Sequence, residues 1–311
     1  QVGPPLAADE RSAYGQRVLR ERYLGPQAEP VDGSVLMQVG EGEHAGDAAV
    51  AIYRELRARG DRTPVSWAVR DLSRETPPGV AAVVLGSSAW YQALARARTV
   101  VLSGQTSRYP RGRASQTVLQ TFRGYPVELP PASTRLDAGW PRNDLVTGPE
   151  VTERRKSVRA ELGLDDDDVV LLWAPAWRQS PGTGSWEPVD GPLALTEVVD
   201  QLDDDVVVLV AGGSVPTGTA GEGLPLRVVD VRWHPRIDDL ILASDAAVIG
   251  SQALTPQYAA SERPHLGLEA SLTGEQLREL VDRASSAEPR GPSVAEGAAA
   301  AVVKVLWPHL P

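Results

Sequence analysis

SVLMQVGEGEHAGDAAVAIYRELRARG, Ser34 to Gly60, is the run that decides the fold. Ser34 to Gly40 is a short apolar segment with the composition of a buried strand. EGEHAGD follows as a glycine-rich loop, and from about Ala48 the chain reads as a helix. Strand, loop and helix in that order form the first half of a βαβ unit.

The same alternation continues on either side. Ala7 to Tyr23 reads as a helix, broken by LGPQAEPVDG. TPVSWAVR is the next strand. VAAVVLGSS, the helix SAWYQALARAR, the strand Thr99 to Gly104 and the strand SQTVLQTF follow. The second half repeats the pattern. It has a helix from about Val151 and a strand in DDDDVVLLWAP, with further strands in DVVVLVAGG, LRVVDV and AAVIGS. Helices surround PLALTEVVDQL, RIDDLILAS and TGEQLRELVDRAS, and SVAEGAAAAVVKVLW closes the chain beyond the EPRGP break. Strands alternating with helices predict parallel sheets covered on both faces. The expected organisation is an N-terminal helix and linker (residues 1–30) and two Rossmann-like halves, 31–145 and 146–311. Ligands then belong at the carboxyl ends of the strands, in the loops after Gly40, Ser103, Phe122, Pro175, Ala211 and Ile249.

Composition narrows the function classes. The chain has 311 residues, 42% hydrophobic, with a net charge of −10. That charge argues against a general nucleic-acid binder, which needs a basic footprint. With no cysteine and four scattered histidines, thiolate chemistry and cysteine-ligated zinc are excluded. No cofactor or metal is expected. No apolar run reaches the roughly 18 residues of a membrane span, and no secretory signal is visible. These features predict a cytoplasmic location.

Several strings offer chemistry. GWPRNDLV (Gly139 to Val146) supplies Arg142, Asn143 and Asp144, either as ligand contacts or as an interdomain turn. LLWAPAWR delivers Arg178 past a strand that ends at Pro175, where a guanidinium can grip phosphate or pair with a carboxylate. GEGEHAGD carries His44, a candidate base or a solvated loop histidine, ahead of a helix N-terminus that favours anions. RYPRGR gathers Arg108, Arg111 and Arg113, a phosphate rim or a soluble loop. DDDD (Asp165 to Asp168) reads as a solvated turn, and Pro181 to Pro192 as a mobile loop. Arg123, in VLQTFRGYP, sits at the tip of a strand entering a glycine turn.

Taken in order, AWYQALARARTVVLSG, SQTVLQTFRGYPV, AGWPRNDLV, LLWAPAWR and IDDLILASDAAVIGS resemble the CDP-glycerol glycerophosphotransferases, the teichoic acid polymerase family. The resemblance spans roughly Tyr14 to Pro264, and its specific parts are PRND and AP-x-WR. It implies a GT-B architecture, two Rossmann-like domains facing a cleft. It also implies transfer of glycerol phosphate from CDP-glycerol, or a related nucleotide-activated donor, to a polymer or lipid-linked acceptor at the inner membrane face, with peripheral membrane contact. By the resemblance, Arg142, Asn143, Asp144, Arg178, Gly250 and Ser251 would bind the donor phosphates. The departures are specific. The family's Trp-His-Gly, whose histidine is the expected base, is here Phe122, Arg123, Gly124. Its Thr-Asp-Tyr-Ser-Ser is Ile249, Gly250, Ser251, Gln252, Ala253. Its His-Pro is missing after the preceding strand, and His234-Pro235 comes later. The stretch from Gly124 to Gly139 is also shorter than the family's. An arginine stays protonated and cannot take the acceptor's proton, although Arg123 can neutralise a phosphate. The sequence therefore predicts a divergent transferase with His44 as the remaining base candidate. The alternatives are a non-catalytic relative acting in binding or assembly, and a nucleotide-sugar glycosyltransferase.

Overall fold

The computed structural model describes residues 6–25, 31–104, 115–121, 136–175, 177–179, 186–188, 195–203, 205–212, 227–232, 234, 236–250, 254–268, 272–287 and 297–310. The chain divides into two compact units, Gln1–Asp144 with Glu296–Pro311, and Leu145–Ala295.

The first unit opens with α1 (Ala13–Leu24). This helix starts later than the sequence suggests, because the Ser12 side chain caps it by accepting from Gly15 N at 2.9 Å. Then come β1 (Val35–Val39), α2 (Asp47–Ala58), β2 (Val65–Val69), β3 (Ala81–Val84), α3 (Ser88–Arg96), β4 (Thr99–Ser103) and β5 (Thr117–Thr121). The sheet order is β3-β2-β1-β4-β5, and every pair is parallel. β1 is buried along its whole length, so it reads as a continuous apolar run rather than an alternation. One face of this sheet holds Leu36, Ala68, Val83, Val100 and Leu102 against Leu19, Trp90, Tyr91 and Leu94 of the helices. A 3₁₀ turn at Pro141–Asn143 leads out of the unit.

The division between the units falls within α4 (Asp144–Thr147), after which the second unit contains α5 (Val151–Glu161), β6 (Val169–Ala174), β7 (Trp177–Gln179), β8 (Trp186–Pro188), α6 (Leu195–Asp200), β9 (Val206–Val210) and β10 (Val228–Asp230). It continues with α7 (Ile237–Ala243), β11 (Ala246–Ile249), α8 (Thr255–Ala260), β12 (His265–Gly267) and α9 (Gly274–Ser285). Its sheet is again parallel, in the order β10-β9-β6-β11-β12. The pleat of β6 divides the core. Leu171 and Trp173 face Leu277 and Leu280 of α9. Val170, Leu172 and Ala174 lie in the other layer with Val158, Leu240 and Ile241. α9 begins with a full capping box between Thr273 and Gln276.

Three features differ from the sequence reading. α8 and β12 were not foreseen, because TPQYAA and HLG are too short to show a period. Trp186–Pro188, inside the stretch expected to be a mobile loop, pairs antiparallel with Trp177–Gln179 as a small hairpin. The last helix, α10 (Ala298–Leu306), belongs to the first unit and packs on α2 and the 3₁₀ turn. The sequence grouped it with the second half because it follows that half in the chain. Its buried residues Ala299, Ala300, Val302 and Val303 instead belong to the core of the first unit.

Candidate functional site

Both sheets change winding direction between their central strands, and in such sheets the ligand crevice opens beyond the carboxyl ends of those two strands. In the first unit these strands are β1 and β4; in the second they are β6 and β11.

In the first unit the loop after β1 is held on two sides. Gly40 N donates to Ser103 O at 2.8 Å, and the Gln38 amide donates to Gly40 O at 3.0 Å. On the β2 side, Gly42 N donates to Val39 O and Arg70 N to Gly42 O, each at 2.8 Å. Gly42 has φ +78, and a Cβ there would lie 2.5 Å from Arg70 N, so only glycine fits. His44 follows, half-buried, with its ring packed over Gly46; a Cβ on Gly46 would come within 3.1 Å of Nδ1.

The start of α2 does not offer the open anion cradle that the sequence suggested. Asp47, at φ 58, turns its own carboxylate to accept from Ala48 N at 2.7 Å. Ala49 N donates to Ser103 Oγ at 3.0 Å. Two first-turn N–H groups are thus occupied, and a fixed carboxylate opposes an incoming anion. Ser103 and Thr121 are the polar residues that the sequence reading passed over. They end apolar strands 18 positions apart in sequence, and no motif spacing links them.

Arg142 lies in the 3₁₀ turn, 6% exposed, with its guanidinium 4.7 Å from the centre of the Trp140 ring. Asn143 N donates to Trp140 O at 2.9 Å. The Asp144 carboxylate caps α10, accepting from Ala298 N at 3.1 Å and Ala299 N at 2.7 Å. Burial pushes the Asp144 carboxyl above its ordinary value. The two N–H donors oppose the shift, and the nearby charge of Glu55 adds to it.

In the second unit, Gly250 N donates to Ala174 O at 2.9 Å, which places residue 250 at the β6/β11 switch point. Arg178 lies in β7 opposite Glu187 of β8. Arg123 and Ser251 lie outside the described residues, as do Arg108, Arg111 and Arg113. His234 follows β10, half-buried, with Nδ1 3.0 Å from Arg236 O. The DDDD turn is closed by its own groups, with Asp165 N donating to Asp168 Oδ2 at 2.7 Å and Arg159 donating to Asp168 O at 2.8 Å.

The arginines of TERRKSVR form a cluster at the amino ends of the strands, away from the switch point. Arg155 pairs with Asp245 at 2.6 Å and Arg159 with the same carboxylate at 3.3 Å, while Asp245 also accepts from Val170 N at 3.0 Å. Arg154 bridges Asp238 and Asp239. These charges fasten α5 and α7 to the sheet.

The sequence profile of the family described as CDP-glycerol:poly(glycerophosphate) glycerophosphotransferase matches residues 28–129 and 131–269. A teichoic acid poly(glycerol phosphate) polymerase of Staphylococcus epidermidis is 22% identical over 72% of this chain and 38% of its own length. A teichoic acid glycerol-phosphate transferase of Staphylococcus aureus is 28% identical over 46% of this chain and 38% of its own length. The chain thus spans about two fifths of the length of these relatives. Among solved structures, the H444N variant of the wall teichoic acid polymerase TagF superposes with a TM-score of 0.69 at 18% identity, covering 94% of this chain and 92% of that one. The same variant soaked with CDPG gives 0.68 at 18% identity, over the same shares of the two chains. At that identity the likeness shows the fold, which is GT-B-like, with two Rossmann-like units.

Proposed function

The chain belongs to the CDP-glycerol:poly(glycerophosphate) glycerophosphotransferase family, and on that premise we propose that it is a divergent glycerophosphotransferase of teichoic acid or cell-surface polymer synthesis. The observation that carries this reading is that the family match runs through both Rossmann-like units, from residue 28 to residue 269. The donor is CDP-glycerol or a close relative, and the acceptor is a polymer or lipid-linked hydroxyl at the inner face of the membrane. In the reaction the acceptor oxygen bonds to the phosphorus that carries glycerol, CMP leaves with the electrons of the broken P–O bond, and the acceptor proton passes to a base.

Arg123 cannot be that base. His44 is the candidate, since histidine is the commonest general base in enzymes and its loop borders the β1/β4 switch point. Arg123 and Arg178 are the proposed partners of the phosphates, with Gly250 at the second switch point and Ser251, the next residue in the sequence, as a further candidate. Arg142 and Asp144 are assigned to support, because one is stacked on Trp140 and the other caps α10.

Calorimetry with CDP-glycerol, together with a transfer assay, tests the reading. Binding and turnover are expected, with His44→Ala lowering kcat by about 10²–10⁴-fold. No nucleotide binding at millimolar concentration defeats the transferase reading. Phe122-Arg123-Gly124 in place of Trp-His-Gly favours a second reading, a non-catalytic binding module. Tight CDP-glycerol binding with no transfer, unchanged by His44→Ala, would establish that one instead.

A further inference from the structure

Ser103 holds both ends of the loop that carries His44. Its carbonyl accepts from Gly40 N at 2.8 Å, where the loop begins. Its hydroxyl accepts from Ala49 N at 3.0 Å, in the first turn of the helix where the loop ends. The same hydroxyl lies 3.0 Å from Thr121 Oγ1, on the last residue of β5. Thr121 Oγ1 also reaches Leu102 O at 3.3 Å. Each hydroxyl has one proton and can also accept, so the helix N–H, the two hydroxyls and the strand carbonyl form a connected series. Ser103 is 1% exposed, and water does not compete for its bond from Ala49 N.

We propose that Ser103 is a positioning residue. Its backbone and hydroxyl together fix the 40–49 loop, and with it the His44 imidazole, relative to Thr121 at the end of β5. This rests on the transferase reading in so far as His44 is the base. The physical need is clear: a group that must take a proton in the transition state loses efficiency when it drifts by about an ångström. A packing residue would not need to grip the same loop at both ends. Gln38 braces Gly40, where the loop begins, and Asp47 accepts from Ala48 N, where it ends.

The test compares Ser103→Ala, Thr121→Val and Thr121→Ser in the full chain. The readouts are hydrogen exchange across 40–49, the NMR titration of the His44 imidazole, and transfer kinetics with CDP-glycerol. Ser103→Ala is expected to speed loop exchange by about tenfold or more and to move the His44 titration midpoint. It should lower kcat by about ten- to a hundredfold with the KM for CDP-glycerol unchanged. Thr121→Val should act in the same direction more weakly, and Thr121→Ser, which keeps the hydroxyl, should restore native values. If Ser103→Ala lowers only the melting temperature, leaving loop exchange, His44 titration and kcat as in the native chain, Ser103 is a packing residue and the proposal fails. Exchange and titration need no turnover. A chain that neither binds nor transfers CDP-glycerol therefore removes the transferase reading, while these two readouts still decide the role of Ser103.

Discussion

Asp144 ends the first unit and caps a helix that returns to it 154 residues later. Gly297 sits opposite, where a Cβ would lie 2.5 Å from the Asp144 carboxylate. Asp144→Ala should cost about 0.5–2 kcal/mol in chemical denaturation, as for other lost caps. Gly297→Ala should also destabilise, by pushing the carboxylate off the N–H groups. The pH dependence follows from the raised pKa of Asp144. A carboxyl whose folded value lies above its unfolded one favours the folded state when protonated. That contribution is full below the unfolded value and is lost as pH rises through the folded one. The stability of the native chain relative to Asp144→Asn should therefore fall as pH rises above about 4, the ordinary carboxyl range. A flat difference would mean that burial does not govern this carboxyl.

At the scale of elements, α7 shows how short helices are held. Its C-terminal carbonyls receive three guanidinium groups. Arg263 donates to Leu242 O at 2.9 Å, Ser244 O at 2.7 Å and also Ile241 O; Arg155 donates to Ser244 O at 2.9 Å; Arg159 donates to Ala243 O at 3.0 Å. Cations at a helix C-terminus complement its dipole. Burial, with the nearby charge of Arg155, pushes Arg263 down to about 10. A cation depressed in the folded state regains stability only as pH rises past that value, so at neutral pH the burial cost is constant. Arg263→Ala should destabilise by about 3 kcal/mol, because buried carbonyls lose a charged donor. The loss should be the same at about pH 6 and about pH 9. Arg263→Lys should not rescue it, since an ammonium lacks the fixed fork that spans several carbonyls.

At the scale of the whole molecule, the second unit is an insertion in the first, and α10 completes the first unit only after the second has been traversed. Val302, Val303 and Trp307 are each at most 5% exposed. Fully burying such side chains contributes about 1.5–3 kcal/mol each, so removing 297–311 should cost the first unit about 5 kcal/mol or more. That is the size of a whole domain's stability. Truncation at residue 296 should therefore abolish slow hydrogen exchange in α2 and β1, while exchange in β6, β9 and β11 stays slow. Equal loss in both sheets would mean that the units fold only together.

The fold class and most of the order of elements are legible in the residues. SVLMQVG, TVVLSG, VVLLWA and AAVIG announce buried parallel strands because both of their faces are covered, so the apolar run is unbroken. The sequence also locates the His44 loop and the departure at Phe122-Arg123-Gly124, since residue identities need no coordinates. What those residues touch is set by the assembled sheets and helices. Asp144 reads as part of a ligand site or an interdomain turn in PRNDLV, yet its carboxylate caps a distant helix at Ala298 and Ala299. The α2 N-terminus reads as open to anions, yet Ser103, 54 residues away, occupies one of its N–H groups. The physical reason is the same in both cases. Strand and helix periods come from neighbours a few positions apart, which a sequence displays. Hydrogen bonds that satisfy buried polar groups form between elements brought together by the sheet, and no local pattern records that pairing.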